Sequence, residues 1–326
     1  MPKVPPGIRG AAITGWGTAL PDQVVTNHDL ERTLDTNHEW IVERTGIRER
    51  RVGGTTAGLS VEAGRKAIER AGLQPGDIDA LILATTTPDR VVPGTSSTVQ
   101  HALGLTCGAY DLNAACSGWV YGLVNAHGLI ALGAEKVLVI GTDTLARITD
   151  WDDRNTAILF ADGSGAAVLE AVDGSGQLLG WDLSADGSAE GALYAEVGGK
   201  LQMEGREVFR RAVRIMVESA TASMEAAGVT ADDLALVVPH QANIRIIAAS
   251  CERLGVELER ASIVLDRTGN TSAASIPLAL ADALDRGRIC EGDLVLFVGF
   301  GAGMTAASAV VRWSAPVPSA ADGTAS

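Results

Sequence analysis

The sequence is poor in aromatic residues and in cysteine, and it has no long apolar run. Its four cysteines form no CxxC pair, and no histidine cluster has metal-ligand spacing. This pattern predicts neither a disulfide framework nor a metal site. The N-terminal segment lacks the apolar core of a signal peptide, and no apolar stretch approaches the roughly 20 residues that span a bilayer. We therefore expect a cytoplasmic protein that does not enter a membrane.

Basic residues are also scarce. Lysine and arginine together number 26 against 40 acidic residues, which gives a formal net charge of -14. Nucleic acids and anionic membranes bind to a broad basic face. The composition therefore argues against both partners and leaves room only for a local basic patch.

The composition is typical of a closely packed α/β protein, with 46% hydrophobic residues and 38 glycines in 326 residues. Strand-like and helix-like segments alternate, as in a sheet that is covered by helices. The predicted strands lie at 11–17, 79–85, 108–113 and 136–141, and the predicted helices lie at 27–34, 39–44, 61–71, 95–103 and 117–131.

The two halves of the chain are similar to one another. AGLQPGDIDALI (71–82) matches AGVTADDLALVV (227–238) at an offset of 156 residues, and VLVIG (137–141) matches VLFVG (295–299) at an offset of 158. Two matches in the same order and at nearly one offset favour a duplicated domain over chance similarity between α/β units.

The turn-rich stretch DGSG (173–176) separates the matched segments. We therefore place an N-terminal half at 1–172 and a C-terminal half at 173–326. The last residues, from about 316, are rich in alanine, serine and proline, and we expect them to fray.

Cys116 lies in the segment DLNAACSGWVYGL, between a predicted strand and a predicted helix. A thiol at the start of a helix meets the positive end of the helix dipole and free backbone N–H groups. Both features favour the thiolate and can hold an oxyanion, so Cys116 is a candidate nucleophile. The alternative is a buried structural cysteine, which is the commoner role of an isolated cysteine.

Two polar side chains of the second half could act with this thiol. His240 follows a predicted strand, and α/β sheets bind ligands at the carboxyl ends of their strands. Asn270 precedes a predicted helix, and the glycine-rich loop 299–304 offers backbone N–H groups. His127 would lie about 16 Å from Cys116 along one helix, which is too far to serve it. The remaining histidines, His28, His38 and His101, show no convergent polar neighbour in the sequence.

The motifs AACSG around Cys116, PHQAN around His240 and GNTSAAS around Asn270 occur in this order and are followed by GFGAG. Together with ERTGIRERR (43–51) and FADGSGAAVLE (160–170), they closely resemble β-ketoacyl-acyl-carrier-protein synthase III of the thiolase superfamily. The resemblance implies a thiolase-like α/β fold, in which two similar halves form a five-layered α-β-α-β-α arrangement. It also implies a homodimer.

The resemblance further implies that Cys116 takes an acyl group from acyl-CoA. A malonyl thioester on the acyl carrier protein (ACP) would then lose carbon dioxide and condense with that group. The backbone N–H groups of Cys116 and Ala302 would form the oxyanion hole, and His240 and Asn270 would stabilise the enolate. No permanently bound cofactor is implied. The product would initiate fatty-acid or polyketide synthesis.

By the same resemblance, Trp40 and Arg154 match a pair that holds adenine between an aromatic face and a guanidinium plane. Arg44 and Thr36 would lie by the phosphates and the adenine of CoA, and Asn243 would contact the pantetheine arm. For Trp40 the alternative is a half-buried helix residue.

Carrier proteins are acidic, so docking needs a local basic rim. Arg210 and Arg245 match the family best, and Arg253 is a third candidate. An exposed run of arginines can also be plain solvated surface. The wider set of candidates adds Arg206, Arg211 and Arg214.

Val92 stands where family members that select straight chains often carry an aromatic residue, contributed to the acyl pocket across the dimer. Its smaller side chain predicts room for a branched or larger starter group. The segment 183–203 is expected to border the same pocket.

Other interpretations stay open. The main alternative is a synthase-III-like acyltransferase that moves the acyl group to an alcohol or amine, because acylation of Cys116 would be identical. A papain-like protease shares the order Cys, His, Asn, but it carries its cysteine near the mature N-terminus within a signature that is missing here. Chalcone-synthase-like enzymes lack the PHQAN context. A catalytically inactive partner subunit would be expected to lack Cys116.

Overall fold

The computed structural model describes residue 4 and residues 7–314. Within these residues, no helix is both long enough and apolar enough to cross a bilayer. The predicted fraying from residue 316 falls outside the described part of the chain.

Strands and helices alternate along the chain, as the sequence predicts. The helices are α1 (Asn27–Leu30), α2 (His38–Thr45), α3 (Thr56–Arg70), α4 (Thr95–Leu103), α5 (Gly118–Ala131), α6 (Arg154–Ala157), α7 (Gly205–Ala227), α8 (Ile244–Leu254), α9 (Leu265–Thr268) and α10 (Ser275–Asp285). The strands are β1 (Gly10–Ala19), β2 (Val24–Thr26), β3 (Glu49–Arg51), β4 (Ala80–Ala84), β5 (Gly108–Leu112), β6 (Lys136–Thr144), β7 (Asp162–Val172), β8 (Leu178–Ser184), β9 (Leu193–Tyr194), β10 (Gln202–Met203), β11 (Leu236–Pro239), β12 (Leu294–Gly301) and β13 (Thr305–Arg312).

Two helices differ from the prediction at one end. The helix predicted at 61–71 begins earlier, at Thr56, because the side chain of Thr55 accepts the N–H of Gly58 and caps the first turn. The helix predicted at 27–34 ends at Leu30, where the chain turns towards α2.

The first sheet has the strand order β1-β7-β6-β4-β5. Strands β5, β4 and β6 are parallel, and β7 and β1 are antiparallel to their neighbours. The second sheet has the order β11-β12-β13-β8, with β11 and β12 parallel and β13 and β8 antiparallel to their neighbours. Strands β11, β12, β13 and β8 therefore repeat the order and directions of β4, β6, β7 and β1. The two halves of the chain share one topology.

Helices α5 and α10 lie between the two sheets and pack against strands of both. Helices α3 and α4 cover the outer face of the first sheet, and α7, with α8 packed beside it, covers the outer face of the second. The layers are therefore α-β-α-β-α, and the predicted thiolase-like fold of two similar halves is confirmed. The boundary after Val172 stays a prediction, which the end of β7 at this residue supports.

The central layer approaches the first sheet very closely at Gly141 of β6. A Cβ atom on this residue would overlap the carbonyl oxygen of Ala273, which lies in the turn before α10. The absence of a side chain at Gly141 therefore allows the segment around Asn270 to reach the first half of the chain.

Candidate active site

Cys116 lies in a 3-10 turn between β5 and α5, as the sequence predicts. The preceding residue, Ala115, has a φ of 48°, in the left-handed region that is unfavourable for residues with a side chain. Ser272 and Met304 share this conformation, with φ of 51° and 43°. They lie in the loop of Asn270 and in the glycine-rich loop after β12. Strained backbone in three converging loops is typical of a functional site.

His240 follows β11 directly, and it is 1% exposed. Its Nδ1 atom lies 2.7 Å from the Oγ atom of Ser275 at the start of α10. The backbone N–H of Gln241 donates to the same oxygen at 3.3 Å, so the serine hydroxyl can donate its own proton to Nδ1. The neutral ring then carries its proton on Nε2, which is a hydrogen-bond donor.

Asn270 lies in the loop before α10, and its backbone is tied to the first half of the chain. Its N–H donates to the carbonyl oxygen of Leu159 at 2.9 Å, and its carbonyl oxygen accepts the N–H of Ala161 at 2.9 Å. The side-chain Oδ1 atom accepts the N–H of Ser272 at 3.0 Å. The two N–H donors of Nδ2 stay available for a ligand.

Cys116, His240 and Asn270 line one cavity of about 610 Å³. Phe300 also lines it, and its ring meets that of His240 edge to face at a centroid distance of 5.4 Å. One thiol and two side-chain N–H donors therefore share a common space. This arrangement can bind a carbonyl group beside the sulfur.

The glycine-rich loop after β12 packs directly against Cys116. A Cβ atom on Gly301 would lie 2.6 Å from the backbone nitrogen of Cys116, so a larger residue does not fit there. Thr305 donates to the carbonyl oxygen of Ala114 at 3.0 Å and ties this loop to the segment before the thiol. Ala302, the residue after Gly301 in this loop, lines a second cavity together with Cys116.

The second cavity has a volume of about 340 Å³. The segment that was predicted to border the acyl pocket contributes Leu193, Tyr194 and Leu201 to its wall. Leu145 and Ile148 extend the apolar part of the wall. Cys116 thus lies at the junction of two cavities, which suits a thioester carbonyl with one substituent on each side.

Burial governs the protonation of both groups. It raises the pKa of the Cys116 thiol to about 12, although a hydrogen bond from the Ser272 side chain lowers it. Burial therefore opposes the thiolate, whereas the start of α5 is expected to favour it. Burial also lowers the pKa of His240 to about 3, so its ring is neutral at pH 7.

Most of the predicted CoA residues gather at the larger cavity. Trp40, Arg44 and Asn243 line it, as does Arg245, which was predicted for docking of ACP. The guanidinium of Arg154 lies 4.8 Å from the centroid of the Trp40 ring. The side chain of Asn243 accepts the N–H of Arg245 at 2.8 Å and donates to the carbonyl oxygen of Arg44 at 2.9 Å. Asn243 therefore also caps α8 and joins it to α2.

Five predicted site residues lie outside the walls of both cavities, namely Thr36, Val92, Arg154, Arg210 and Arg253. Val92 is 81% exposed, in the segment between β4 and α4. Arg210 pairs with Glu207 at 2.7 Å on α7. Arg253 lies near the end of α8, about 12 Å along the helix from Arg245. One chain alone therefore does not bring these five residues to the thiol.

The remaining arginine candidates divide between the cavity and the surface. Arg206 lines the larger cavity. Arg211 pairs with Glu207 at 2.6 Å and with Asp186 at 3.4 Å, and Arg214 is exposed. A basic rim at the cavity is thus supplied by Arg206 and Arg245.

Two histidines have a polar neighbour that the sequence analysis missed. The rings of His28 and His38 stack at 4.8 Å, and Glu31 lies 3.1 Å from Nδ1 of His28 and accepts the backbone N–H of His38. The expectation that neither has a convergent polar neighbour is therefore wrong. The i, i+3 spacing of His28 and Glu31 is visible in the sequence and could have predicted their contact, whereas the contact of Glu31 with His38 depends on the turn between α1 and α2.

In the described part of the chain, no group of three or more His, Cys, Asp or Glu residues could hold a metal ion.

Four polar residues around the site were not predicted individually, namely Asp143, Ser272, Ser275 and Thr305. Ser272 and Ser275 belong to the motif GNTSAAS, which identified the segment but not the contacts of each hydroxyl. Asp143 and Thr305 lie in ordinary strand sequences and gave no signal. Each of the four contacts a segment that carries a predicted site residue.

Several known proteins share extended similarity with the chain. The 3-oxoacyl-[acyl-carrier-protein (ACP)] synthase III family matches residues 110–187, and the C-terminal domain of that family matches residues 224–313. The beta-ketoacyl-[acyl-carrier-protein] synthase III of Roseiflexus castenholzii is 49% identical over 325 residues, which cover 94% of this chain and 98% of that protein.

Solved structures show the same similarity. The 3-oxoacyl-[acyl-carrier-protein] synthase III from Aquifex aeolicus has a TM-score of 0.91 and 42% identity, with coverage of 93% of this chain and 100% of that one. The priming beta-ketosynthase of the R1128 polyketide biosynthetic pathway has a TM-score of 0.90 and 36% identity, with coverage of 96% and 98%. The matched ranges include Cys116, His240 and Asn270. The chain belongs to the β-ketoacyl-[acyl-carrier-protein] synthase III family of condensing acyltransferases.

Proposed function

We propose that the protein condenses an acyl group from acyl-CoA with a malonyl group on ACP, and thereby starts fatty-acid or polyketide synthesis. The observation that carries the proposal is the cavity in which one thiol meets two N–H donors, from Nε2 of His240 and Nδ2 of Asn270. The names of the relatives from Roseiflexus castenholzii and Aquifex aeolicus support it.

The first step transfers the acyl group to Cys116. The sulfur attacks the thioester carbonyl, a carbon–sulfur bond to Cys116 forms, the bond to CoA breaks, and the thiol proton leaves with CoA. The backbone N–H groups of Cys116 and Ala302 stabilise the oxyanion, and the contact at Gly301 holds their two loops together. Because burial raises the pKa of the thiol to about 12, little thiolate is present at pH 7, and donors fixed in place lower the barrier to attack.

The second step is decarboxylative condensation. The malonyl group loses carbon dioxide, and the electrons of the broken bond move onto the thioester carbonyl to form an enolate. His240 and Asn270 donate to the enolate oxygen, and the low pKa of the ring keeps His240 neutral throughout. The enolate carbon attacks the acyl carbonyl, the new carbon–carbon bond forms, and the sulfur of Cys116 is released. Phe300, which packs on His240, limits access of water to the acyl group.

Substrate binding uses the arginine-rich side of the larger cavity. Trp40, Arg154, Arg44 and Thr36 hold the adenine and phosphates of CoA, and Asn243 contacts the pantetheine arm. Arg245 contributes most to docking of ACP, because it lines the cavity, and its guanidinium lies 5.5 Å from the ring centroid of Phe209.

Two other docking residues, Arg210 and Arg253, extend the basic rim along α7 and α8. No proposed step uses a permanently bound cofactor. Such chemistry suits the cytoplasmic location that the sequence predicts.

We further propose that two copies associate through the free edge of the first sheet. Strand β5 forms this edge and carries Tyr110, which is 40% exposed. Val91 and Val92 are 84% and 81% exposed nearby in the chain. Exposed apolar residues and an unpaired edge are typical of an association surface. Val92 would then border the acyl cavity of the partner, where its small side chain leaves room for a branched or larger starter.

A second candidate function is transfer of the acyl group to an alcohol or amine. It shares the first step and differs in the acceptor. The amide of Asn270 favours condensation, because an enolate oxygen needs two donors, whereas an attacking hydroxyl or amine needs an acceptor for its proton.

Intact-mass analysis with a panel of acyl-CoAs tests the proposal. The acyl mass should appear on the wild-type protein, be absent from Cys116→Ala, and disappear as a β-ketoacyl product when malonyl-ACP is added. Discharge by a simple alcohol or amine, without reaction with malonyl-ACP, would favour the second candidate. Faster acylation by acetyl-CoA than by isobutyryl-CoA would contradict the proposed starter preference.

A further inference from the structure

Asp143 is a buried carboxylate that the proposed reaction does not use. It lies near the end of β6 and is 0% exposed. Its Oδ1 atom accepts hydrogen bonds from five hydroxyl and backbone donors of Thr85, Thr86 and Thr87, at 2.7 to 3.1 Å. Its Oδ2 atom accepts the backbone N–H of Ala273 at 3.2 Å. The carboxylate therefore joins two segments that are distant in sequence.

These two segments belong to different parts of the site. Thr86 lines the 340 Å³ cavity beside Cys116. Ala273 follows Ser272, whose N–H holds the Oδ1 atom of Asn270. Asp143 thus connects the wall of the acyl cavity with the loop that presents the Asn270 amide.

We propose that Asp143 is a positioning residue for condensation, which fixes the Asn270 loop relative to the wall of the acyl cavity. The inference rests on the proposed function. A carboxylate group has two oxygens that can each accept, so Asp143 can serve both segments at once. In Asp143→Asn, the new amide can turn its Oδ1 atom to the threonines. Its Nδ2 group then faces the N–H of Ala273, and two donors that face each other repel.

The test separates the two half-reactions of the full-length protein. Acylation is the rate at which acyl-CoA adds its acyl mass to Cys116. Condensation is the rate at which the isolated acyl-protein yields β-ketoacyl product with malonyl-ACP. In Asp143→Asn we expect acylation no slower than in wild type, because the charge of Asp143 raises the pKa of the Cys116 thiol and is lost in the variant. We expect condensation slower by about tenfold to a hundredfold, because displacement of a donor by a fraction of an ångström is costly. Equal losses in both rates, or no loss in condensation, would overturn the proposal.

Asp79→Asn is a matched control, because Asp79 directly precedes β4 and lies beside the opposite end of β6. Oδ2 of Asp79 accepts the N–H groups of Glu135 and Lys136 at 2.7 and 2.9 Å, remote from Asn270 in the sheet. This variant should keep the wild-type ratio of the two rates. A changed ratio in Asp79→Asn would overturn the assignment to Asp143, because any loss of a strand-end carboxylate would then have the same effect.

If Asp143→Asn does not fold, Thr85→Val provides a milder test. It removes one hydroxyl donor at 3.1 Å from Asp143 and keeps the side-chain shape. We expect condensation to fall about threefold with acylation unchanged, as for loss of one hydrogen bond. An unchanged ratio would overturn the inference. Failure of the wild type to condense at all would instead reject the proposed function.

Discussion

The guanidinium of Arg154 lies 4.8 Å from the centroid of the Trp40 ring, so the two side chains are in contact. An adenine stacked between them needs a separation of roughly 7 Å, because each stacked layer takes roughly 3.5 Å. In the proposed adenine site, the pair must therefore open when CoA binds. Arg154 also donates to the carbonyl oxygen of Asp35 at 2.7 Å, a bond that must shift during this opening.

Trp40→Ala should raise KM for acyl-CoA by about tenfold and leave kcat nearly unchanged, because the lost stacking on adenine acts equally on ground state and transition state. The acyl thioester of N-acetylcysteamine lacks adenine, so its kcat/KM should not change. Initial rates of thiol release give kcat and KM for each of the two thioesters. An equal loss of kcat/KM with the two thioesters would show that Trp40 stabilises the fold and does not bind adenine.

Gly301→Ala should slow acylation of Cys116 by about a hundredfold, because the new Cβ atom would lie 2.6 Å from the nitrogen that is proposed to hold the oxyanion. Stopped-flow release of CoA measures this step. Gly187→Ala is the control, since a Cβ atom there meets nothing within 4 Å. Wild-type acylation by Gly301→Ala would exclude the proposed oxyanion hole.

Ser275→Ala should slow condensation by about tenfold and spare acylation, because His240 loses the donor that fixes its proton on Nε2. The reaction of pre-acylated protein with malonyl-ACP measures condensation. Ser275→Thr, which retains the hydroxyl, should recover part of the rate. Slower acylation in Ser275→Ala would mean that His240 acts mainly on the thiol.

Alkylation of Cys116 by iodoacetamide should accelerate about tenfold per pH unit between pH 7 and pH 10. Its pKa is raised to about 12 by burial, so the thiolate is a small fraction that grows with pH over this whole range. Intact-mass kinetics on the double variant Cys107→Ser/Cys290→Ser, which lacks the half-buried and the exposed cysteine, leaves Cys116 and the buried Cys251 as the remaining thiols, and peptide mapping assigns the site. A plateau near neutral pH would reveal a thiolate stabilised by the helix start.

Arg245→Ala should raise KM for malonyl-ACP more than Arg253→Ala, by about fivefold against less than about twofold. Arg245 lines the cavity, whereas Arg253 lies about 12 Å away along α8, where solvent and salt screen its charge. Steady-state kinetics at low and high salt separate the two. An equal effect of both variants would place the carrier protein across the whole helix.

The sequence motifs identified the segments that carry the site, because Cys116, His240 and Asn270 each follow a strand or precede a helix in a specific pattern. They did not identify Asp143, whose importance depends on the register between β4 and β6 and on the approach of α10. Nor did they give the protonation of Cys116. A helix start is visible in sequence, whereas the depth of burial depends on the packing of both halves.

The fold was predictable because matching segments recur in the two halves of the chain, in the same order and at nearly the same offset. The ends of the helices were less predictable. Thr56 begins α3 ahead of the apolar pattern, since the cap comes from the single hydroxyl of Thr55. The contact of His38 with Glu31 depends on a turn that has no apolar periodicity.

Cys116 comes from the first half of the chain, whereas His240 and Asn270 come from the second, and they meet beside the layer of α5 and α10. Contacts between residues so distant along the chain are slow to form, because chain entropy must be overcome first. Helical and sheet signals should therefore return early on dilution from denaturant, and turnover should return last. Regained activity would report that both halves have docked.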